Sequence, residues 1–143
     1  MSFTQLIYHI VFSTARREPT IPDESSRELY RLVNHILNKE NCHVYKVGGI
    51  ENHVHILTGV PADRQLSKVI QNLKRETSLI LKNHPGFPAW KGWNEGYGAF
   101  TCSWGDKGSV VKYIENQKEH HSRESVEEEI RQILIAHGFI FNY

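Results

Sequence analysis

The sequence has few cysteines, no long apolar run and no leader-like start. Its 143 residues include only two cysteines, Cys42 and Cys102, which are too far apart in sequence to form a metal-binding pair. This usage predicts a reduced, cytoplasmic protein with two free thiols. The first residues carry no cationic segment ahead of their apolar stretch, and that stretch is too short to span a bilayer. We therefore expect neither a signal peptide nor a membrane segment.

A strong net charge is also missing, because 17 Lys and Arg residues against 16 Asp and Glu residues give +1. A protein that coats duplex DNA through charge alone is usually more basic. Four of the carboxylates lie in one C-terminal segment, which leaves the middle of the chain basic: Glu124, Glu127, Glu128 and Glu129. Most lysines of an ordinary protein are solvated surface charges, so charge does not decide the partner.

Apolar periodicity predicts a single domain over residues 1–143, without repeats, low-complexity segments or linkers. Strands are predicted where β-branched and aromatic residues cluster, at 4–14, 42–48, 50–60 and 99–104. Four helices are predicted from apolar spacing and caps: one from Asp23 or a capping box at Ser25 and Glu28, then 66–81, about 106–121 with Asp106 as cap, and about 125–137.

This order, β-α-β-β-α-β followed by helices, predicts an α+β fold of the ferredoxin-like split βαβ type. In this fold the helices pack on one face of an antiparallel sheet. We expect the other face to be left uncovered, and such a face commonly carries nucleic acid or a second subunit.

The segment His53-Val54-His55 places two imidazoles two residues apart on a predicted strand. Side chains at this spacing point to the same face, so the rings are expected to be neighbours on the uncovered side of the sheet. Two such imidazoles are well placed to bind a divalent ion. A pair of surface histidines is the commoner explanation of an isolated H-x-H, and nine histidines in the chain raise the odds of a chance pair.

Tyr113 and Gln117 form a second pair, four residues apart on the predicted tyrosine helix. Residues at this spacing lie on one helical face, so a phenolic oxygen and a carboxamide oxygen would point the same way. A carbonyl oxygen suits Mg²⁺ or Mn²⁺. A buried tyrosine beside a solvated glutamine is the alternative explanation of this pair.

Five segments carry a resemblance to known proteins, and together they span nearly the whole chain. In chain order they are YHIVFST, ENHVHIL, LSKVIQNLKRETS, WNEGYGAFTCS and VVKYIENQKEHH. The chain thereby resembles the HUH-class single-domain tyrosine transposases of small insertion sequences (the insertion sequence 200/605 type) and their REP-associated relatives. The combination of HVHIL, EGYGAF and YIxNQxEHH is far more specific than either short motif. One departure concerns Asn52, since many such proteins have Asp before the first histidine; this change affects support of a histidine rather than a ligand.

The resemblance implies that His53, His55 and Gln117 hold one Mg²⁺ or Mn²⁺, which binds a non-bridging oxygen of the scissile phosphate. It also implies that Tyr113 attacks in line, giving a 5′-phosphotyrosyl DNA and a free 3′-OH. The substrate would be single-stranded DNA marked by a hairpin, an imperfect palindrome. The base that activates the phenol is not identified by the sequence, although His120 and His121 are conceivable.

The family further implies a homodimer in which Tyr113 acts in trans, on the partner's metal site. Four glycines around the last predicted strand would give the tyrosine helix freedom to swing, although ordinary turn glycines explain them equally well: Gly96, Gly98, Gly105 and Gly108. Candidate DNA contacts are basic or aromatic residues able to bind phosphates or stack on bases: Arg16, Arg17, Lys74, Arg75, Lys91 and Trp93.

Three other functions remain open. A non-catalytic ferredoxin-like nucleic-acid-binding module would need stacking aromatics where His53 and His55 stand. A metal-dependent hydrolase would use water as its nucleophile, but the two-histidine phosphodiesterase motif H-x-T/S does not match the spacing from His55 to Thr58. Within the family, a host-retained REP-associated nuclease or strand transferase would cut chromosomal palindromes without moving an element.

Overall fold

Four strands form one antiparallel sheet in a computed structural model that describes residues 1–121 and 124–139. The strands are β1 (Ile7–Ser13), β2 (His43–Ile50), β3 (His53–Gly59) and β4 (Gly98–Thr101), and their order in the sheet is β2-β3-β1-β4. The helices are α1 (Ser26–Lys39), α2 (Leu66–Leu81), α3 (Lys107–Glu115), α4 (Gln117–His121) and α5 (Val126–Ala136). This α+β arrangement, with its ferredoxin-like strand order, confirms the predicted fold class.

The main core lies between the sheet and the first two helices. Helix α1 buries its apolar stripe against one side of β1 and β3, and α2 packs beside it. Ile10 and Phe12 of β1 meet Val54 and Ile56 of β3 there, because alternate residues of a strand face the same side. The remaining strand positions, His53 and His55 among them, therefore face the opposite side.

That opposite side is covered, so the expectation of an uncovered sheet face is wrong for this structure. A second apolar cluster, Ile7, Leu57 and Ile114, joins the sheet to α3. Gly48 of β2 makes this approach close, since a Cβ atom there would lie 2.7 Å from Ile114 Cγ2. The C-terminal helices thus form a second layer over the strand that carries the histidines.

The tyrosine helix, predicted as continuous over about 106–121, is interrupted. Asn116 leaves the helical conformation with φ −97° and ψ 22°, and this turn separates α3 from α4. The caps predicted for α1 and α3 were also wrong, since neither Ser25 nor Asp106 makes a side-chain cap hydrogen bond to any described residue. At α1 a 3-10 turn at Asp23–Ser25 runs directly into the helix, which leaves Ser25 in a helical conformation that cannot cap.

Three strands, β1, β3 and β4, are shorter than their sequence patterns, whereas β2 continues past its predicted end at residue 48 to Ile50. Leu6 and Cys102 each still share one backbone hydrogen bond with a neighbouring strand, and beyond them the β-rich residues have no strand partner in the described part of the chain. Within residues 1–121 and 124–139, no helix is both long and apolar enough to cross a membrane.

Candidate metal centre and nucleophile

His53 and His55 are side by side on β3, with ring centroids 5.0 Å apart. Both are 0% exposed, because the C-terminal helices lie over this face of the sheet. Burial of an imidazole pair beyond the reach of water requires polar partners. The partners found here identify the rest of the site.

Tyr113 of α3 and Gln117 of α4 lie on the helices that cover the histidines, within the same chain. Gln117 Oε1 lies 3.1 Å from His53 Nε2, and the Tyr113 ring centroid lies 5.7 Å from that of His55. Gln117 is 1% exposed, so its carboxamide is committed to the site rather than to solvent. The two pairs that the sequence indicated separately thus meet at one point.

Glu129 of α5 occupies the centre of this cluster. Its Oε1 lies 3.1 Å from His53 Nε2 and 3.2 Å from His55 Nε2. Its Oε2 accepts hydrogen bonds from the Tyr113 hydroxyl and, at 3.0 Å, from Gln117 Nε2. A carboxylate that is 1% exposed therefore contacts both halves of the candidate site.

Sequence reasoning missed Glu129, which was grouped with the other C-terminal carboxylates as a contribution to charge. A signal was nevertheless present in the helical spacing. Glu129 follows Val126 by three residues and precedes Ile130 and Ile133 by one and four, so it falls on the apolar stripe of α5. An acidic residue at such a position predicts a buried polar partner.

Two further residues orient the imidazoles. Asn52 Nδ2 donates to the backbone oxygen of Arg17 at 3.4 Å, which turns its Oδ1 toward His53 Nδ1 at 2.9 Å. His9 of β1 lies 2.8 Å through Nε2 from His55 Nδ1. Such partners fix the ring orientation and tautomer of a ligating histidine. The sequence indicated the Asn52 position, whereas His9 was not recognised.

His120 and His121 also lie beside the carboxylate. His120 Nε2 is 2.5 Å from Glu124 Oε1 and 3.3 Å from Glu129 Oε2, with the Tyr113 hydroxyl 3.3 Å away. His121 Nε2 is 2.9 Å from Glu129 Oε1. His120 thus lies between two carboxylates and the Tyr113 hydroxyl.

Burial and these contacts set the charges of the cluster. Burial alone would raise the pKa of Glu129, but the contacts of its carboxylate with His53 and His55 outweigh that effect and hold the pKa well below its usual range. Burial lowers the pKa of His55, and burial with the neighbouring His55 lowers the pKa of His9 to about 3. Burial and the adjacent Glu129 raise the pKa of Tyr113, so the resting phenol keeps its proton.

The donors of this cluster suit a divalent metal ion. Two imidazole nitrogens and a carboxylate oxygen, from His53, His55 and Glu129, lie within 4.8 Å of one another, and the Gln117 carboxamide oxygen adjoins them. Mixed nitrogen and oxygen donors of this kind bind Mn²⁺, Mg²⁺ or Zn²⁺. The residues present therefore fit a metal site, without specifying which ion it takes.

The candidate DNA contacts are more dispersed. Lys74, Arg75 and Trp93 line one groove of about 510 Å³ beside the 94–97 loop, and Arg17 lines another of about 240 Å³ between β1, β4 and α5. Lys91 pairs with Glu18 at 3.0 Å on the surface and lines neither groove.

Several of these side chains have structural partners. Lys74 Nζ donates to the backbone oxygens of Asn94 and Gly96 at 2.7 and 2.8 Å. Trp93 packs against Phe12, with ring centroids 4.7 Å apart, and donates to Thr77 Oγ1 at 2.9 Å. Lys74 thus fixes the 94–97 loop to α2, and Trp93 packs into the core.

Arg16 and Arg17 follow β1 with φ values of 56° and 55°, a conformation uncommon in residues other than glycine. The turn is held by a hydrogen bond from the Arg16 backbone N–H to Asn94 Oδ1 at 2.8 Å. The Arg17 guanidinium reaches α5, where it pairs with Glu127 at 2.7 Å. The Arg16 side chain is exposed.

Comparisons with known proteins bear on the family and the fold. A family model described as "Transposase IS200 like" matches residues 2–117, and no curated protein sequence matches the chain significantly. A solved structure of a candidate transposase from Deinococcus radiodurans R1 is similar, with 23% identity, a TM-score of 0.61, and coverage of 81% of this chain and 93% of that one. A REP-associated tyrosine transposase bound to a REP hairpin is similar at 11% identity and a TM-score of 0.64, covering 85% of this chain and 72% of that one. At these identities both structures support the fold.

Proposed function

Because the chain belongs to the IS200-like transposase family, we propose that it cleaves and rejoins single-stranded DNA at hairpin-marked ends through a covalent 5′-phosphotyrosine. One observation carries the proposal: a tyrosine hydroxyl lies in the same buried cluster as two imidazoles and a carboxamide from the same chain. A tyrosine beside a metal-type donor set suits metal-assisted nucleophilic attack on a phosphodiester.

His53, His55 and Gln117 are the proposed ligands of one Mg²⁺ or Mn²⁺. Such an ion supplies Lewis-acid polarisation of the scissile phosphate and offsets the negative charge that develops during attack. The protein shields the donor atoms from water and orients their rings. Asn52 fixes the ring of His53, and His9 fixes the ring of His55.

Tyr113 is the proposed nucleophile. Its phenolic oxygen bonds to the phosphorus, the phosphorus bond to the 3′-oxygen breaks, and that oxygen takes up a proton to become a free 3′-OH. The phosphotyrosyl bond keeps the energy of the phosphodiester, so a second 3′-OH can displace Tyr113 and reseal a strand without ATP. Resealing a strand without ATP agrees with the lack of a glycine-rich, nucleotide-binding loop in the sequence.

The phenol must lose its proton during attack, and Glu129 and His120 both lie within reach of it. The Tyr113 hydroxyl already donates to Glu129 Oε2. His120 Nε2 is 3.3 Å from the same hydroxyl. The contacts that lower the pKa of Glu129 also make its carboxylate a weaker base. We propose that one of these two groups takes the proton.

The proposed substrate contacts lie along the two grooves beside the 94–97 loop. Arg75 offers a guanidinium group for a phosphate, and Arg17 would do so in place of its contact with Glu127. Arg16 is exposed at the turn that follows β1. Tyr97 is 44% exposed and borders both grooves, so its ring is available for stacking on an unpaired base. Lys74, Lys91 and Trp93 remain candidates with the structural partners described above.

We propose that each chain cleaves with its own tyrosine, whether or not two chains associate. The support is that α3 docks on its own sheet through Gly48 and Ile114, with Lys46 and Glu115 paired at 3.3 Å. Mixing Tyr113→Phe protein with His53→Ala protein tests this assembly. Two inactive variants that stay inactive together support action in cis, whereas recovered cleavage demonstrates the homodimer with exchanged tyrosines.

The central experiment incubates the protein with labelled single-stranded hairpin oligonucleotides and Mn²⁺. We expect an SDS-resistant protein–DNA adduct that EDTA abolishes and that Tyr113→Phe cannot form, although this variant still binds the hairpin. Tyr45→Phe is the matched control, because Tyr45 belongs to the same apolar cluster as Tyr113. Equal adduct yields from wild type and Tyr113→Phe would exclude the tyrosine mechanism and favour a hydrolase or a binding module.

A host-retained REP-associated nuclease or strand transferase is the second candidate, since one structural relative is described as bound to a REP hairpin. The two roles share the same chemistry and differ in the DNA beside the gene. Imperfect palindromes flanking each end of the gene favour a mobile element, whereas palindromes dispersed through the chromosome favour the retained role. A cytoplasmic location belongs to either role and remains a prediction from the cysteine content.

A further inference from the structure

We infer that Glu129 is itself a ligand of the metal ion, so that α5 builds the metal centre together with β3 and α4. The inference rests on the proposed function for the presence of an ion. It changes the proposed ligand set, which came from the histidine pair and Gln117 alone. It also makes α5, which lies beyond the residues matched by the family model, part of the site.

The first argument is the direction of the His53 lone pair. Asn52 Oδ1 can only accept, so His53 Nδ1 carries the ring proton and donates it at 2.9 Å. His53 Nε2 is then a bare lone pair, yet Glu129 Oε1 and Gln117 Oε1 both lie 3.1 Å from it. Three electron-rich atoms then face one another, and either a second proton on His53 or a metal ion among them removes the repulsion.

His121 repeats the pattern independently. Its Nδ1 lies 3.1 Å from the backbone oxygen of Glu124, which can only accept, so this nitrogen also carries the proton. The bare His121 Nε2 then faces Glu129 Oε1 at 2.9 Å. Two imidazoles from different elements thus direct lone pairs at one carboxylate oxygen.

Protons alone would satisfy these contacts only if His53 and His121 each carried a second proton, which would put two positive charges beside one buried carboxylate. Glu129 Oε1 has His55 Nε2 at 3.2 Å in addition to His53 and His121. A metal ion satisfies several lone pairs at once. Full burial of His53, His55 and Glu129 adds to the need, since water cannot reach in to solvate the carboxylate.

The donor spacings also fit shared coordination. Neighbouring ligands of an octahedral ion at about 2.1 Å lie about 3 Å apart. The separations from His53 Nε2 to Glu129 Oε1 and to Gln117 Oε1 are both 3.1 Å, and that from His55 Nε2 to Glu129 Oε1 is 3.2 Å. These atoms are therefore close enough together to share one ion.

The second carboxylate oxygen connects the ion to the nucleophile. Glu129 Oε2 accepts from the Tyr113 hydroxyl and from Gln117 Nε2. A carboxylate that binds the ion through Oε1 and the phenol through Oε2 fixes the distance between them. Glu129 thereby positions Tyr113 relative to the phosphate that the ion would hold.

The test measures Mn²⁺ binding to the full chain without DNA, by the loss of the free-ion EPR signal. We expect Glu129→Gln and Glu129→Ala to raise the Kd for Mn²⁺ by at least about 10-fold, since loss even of an outer partner costs a metal site that much. Glu128→Gln is the control, because Glu128 is the exposed neighbour on α5, and it should bind as wild type does. Wild-type affinity in both Glu129 variants would overturn the inference, as would a wild-type protein that binds no Mn²⁺.

Hydrogen exchange of the unmodified protein tests the same point without a variant that could fail to fold. If Glu129 is a ligand, adding Mn²⁺ ties α5 to the site and slows exchange of the amides of Val126–Ala136. Faster exchange on adding Mn²⁺ would mean that the carboxylate merely occupies the place of the ion and is expelled, which overturns the inference.

The two proposals fail separately. If Mn²⁺ binding depends on Glu129 but the protein forms no hairpin adduct, Glu129 is a metal ligand and the proposed cleavage chemistry is wrong. If the protein forms the adduct but its Mn²⁺ affinity is unchanged in the Glu129 variants, the cleavage chemistry stands and Glu129 is not a ligand.

Discussion

Asn52 Oδ1 lies 2.9 Å from His53 Nδ1 and thereby decides which nitrogen of His53 faces the site. The amide is held in this orientation by its own hydrogen bond to the backbone oxygen of Arg17. The family pattern that the sequence resembles often has aspartate at this position, and either side chain offers an oxygen to the ring proton. The difference from the family pattern therefore preserves the orientation while removing a charge.

Replacing Asn52 tests this orientation. Asn52→Ala should raise the Kd for Mn²⁺ by about 10-fold or more, because the imidazole can then turn and change tautomer. Asn52→Asp should retain wild-type affinity or exceed it, since it keeps the acceptor and adds a charge. Titration of Mn²⁺ by EPR measures both, with Asn34→Ala on the exposed side of α1 as control. Undiminished binding by Asn52→Ala would show that the packing alone orients His53.

Gly48→Val tests the docking of the tyrosine helix. The added Cβ would lie 2.7 Å from Ile114 Cγ2 and 2.8 Å from the Ile114 backbone oxygen, so α3 must shift away from β2. A displacement on the order of 1 Å can cost about 100-fold in rate, and we expect a loss of that size in adduct formation.

Gly108→Ala is the matched control within α3, since a Cβ there meets no described atom within 4 Å. Alanine should stabilise the helix by about 0.5–1 kcal/mol and leave adduct formation unchanged. Gel assays of the adduct and thermal unfolding distinguish the variants. A normal rate in Gly48→Val would mean that the tyrosine works from another position.

Lys74 and Arg75 are adjacent on α2 and are expected to respond differently to substitution. Lys74→Met removes both hydrogen bonds that hold the backbone of Asn94 and Gly96, which should lower the free energy of unfolding by about 1–3 kcal/mol. Arg75→Ala should change it by less than about 0.5 kcal/mol, since Arg75 is exposed. Urea denaturation measures both changes.

Arg75 should instead affect DNA. If its guanidinium binds a phosphate, Arg75→Ala weakens hairpin binding and reduces the salt dependence by about one unit of slope. Fluorescence anisotropy over a range of salt concentrations measures this slope. An unchanged slope would remove Arg75 from the interface.

The two thiols should react at very different rates. Burial, with the charge of Glu40 as a smaller contribution, raises the pKa of Cys42 to about 11, and its side chain is 3% exposed. At pH 8 only about one thiolate in a thousand is present at such a site, whereas Cys102 is partly exposed. Alkylation should therefore show one fast thiol, which Cys102→Ser removes. A fast phase that survives this substitution would contradict the burial of Cys42.

The strand and helix spacings predicted much of the site, because they depend on local geometry. Alternation along a strand put His53 and His55 on one face, and the helical repeat put Tyr113 and Gln117 on another. Neither pattern specified that the two faces meet. That step came from the resemblance to a family, and the contacts between Gln117 and His53 agree with it.

The contacts that the sequence could not predict are all tertiary. Glu129 is distant from His53 in sequence, and its carboxylate resembled a solvated charge until α5 was seen to pack over the sheet. Lys74 resembled a phosphate-binding cation, although its ammonium group is committed to two backbone oxygens. Whether such a side chain is free to bind a ligand depends on its partner in the fold rather than on its residue type.

The buried cluster draws its members from β1 to α5, from His9 to Glu129. A chain still emerging from the ribosome holds the histidine pair long before it holds Tyr113, and Tyr113 before Glu129. A chain made only as far as α4 therefore has the Tyr113 hydroxyl without its carboxylate partner. If Glu129 binds the ion and Tyr113 is the nucleophile, the site becomes competent only after α5 has been made and has packed over the sheet.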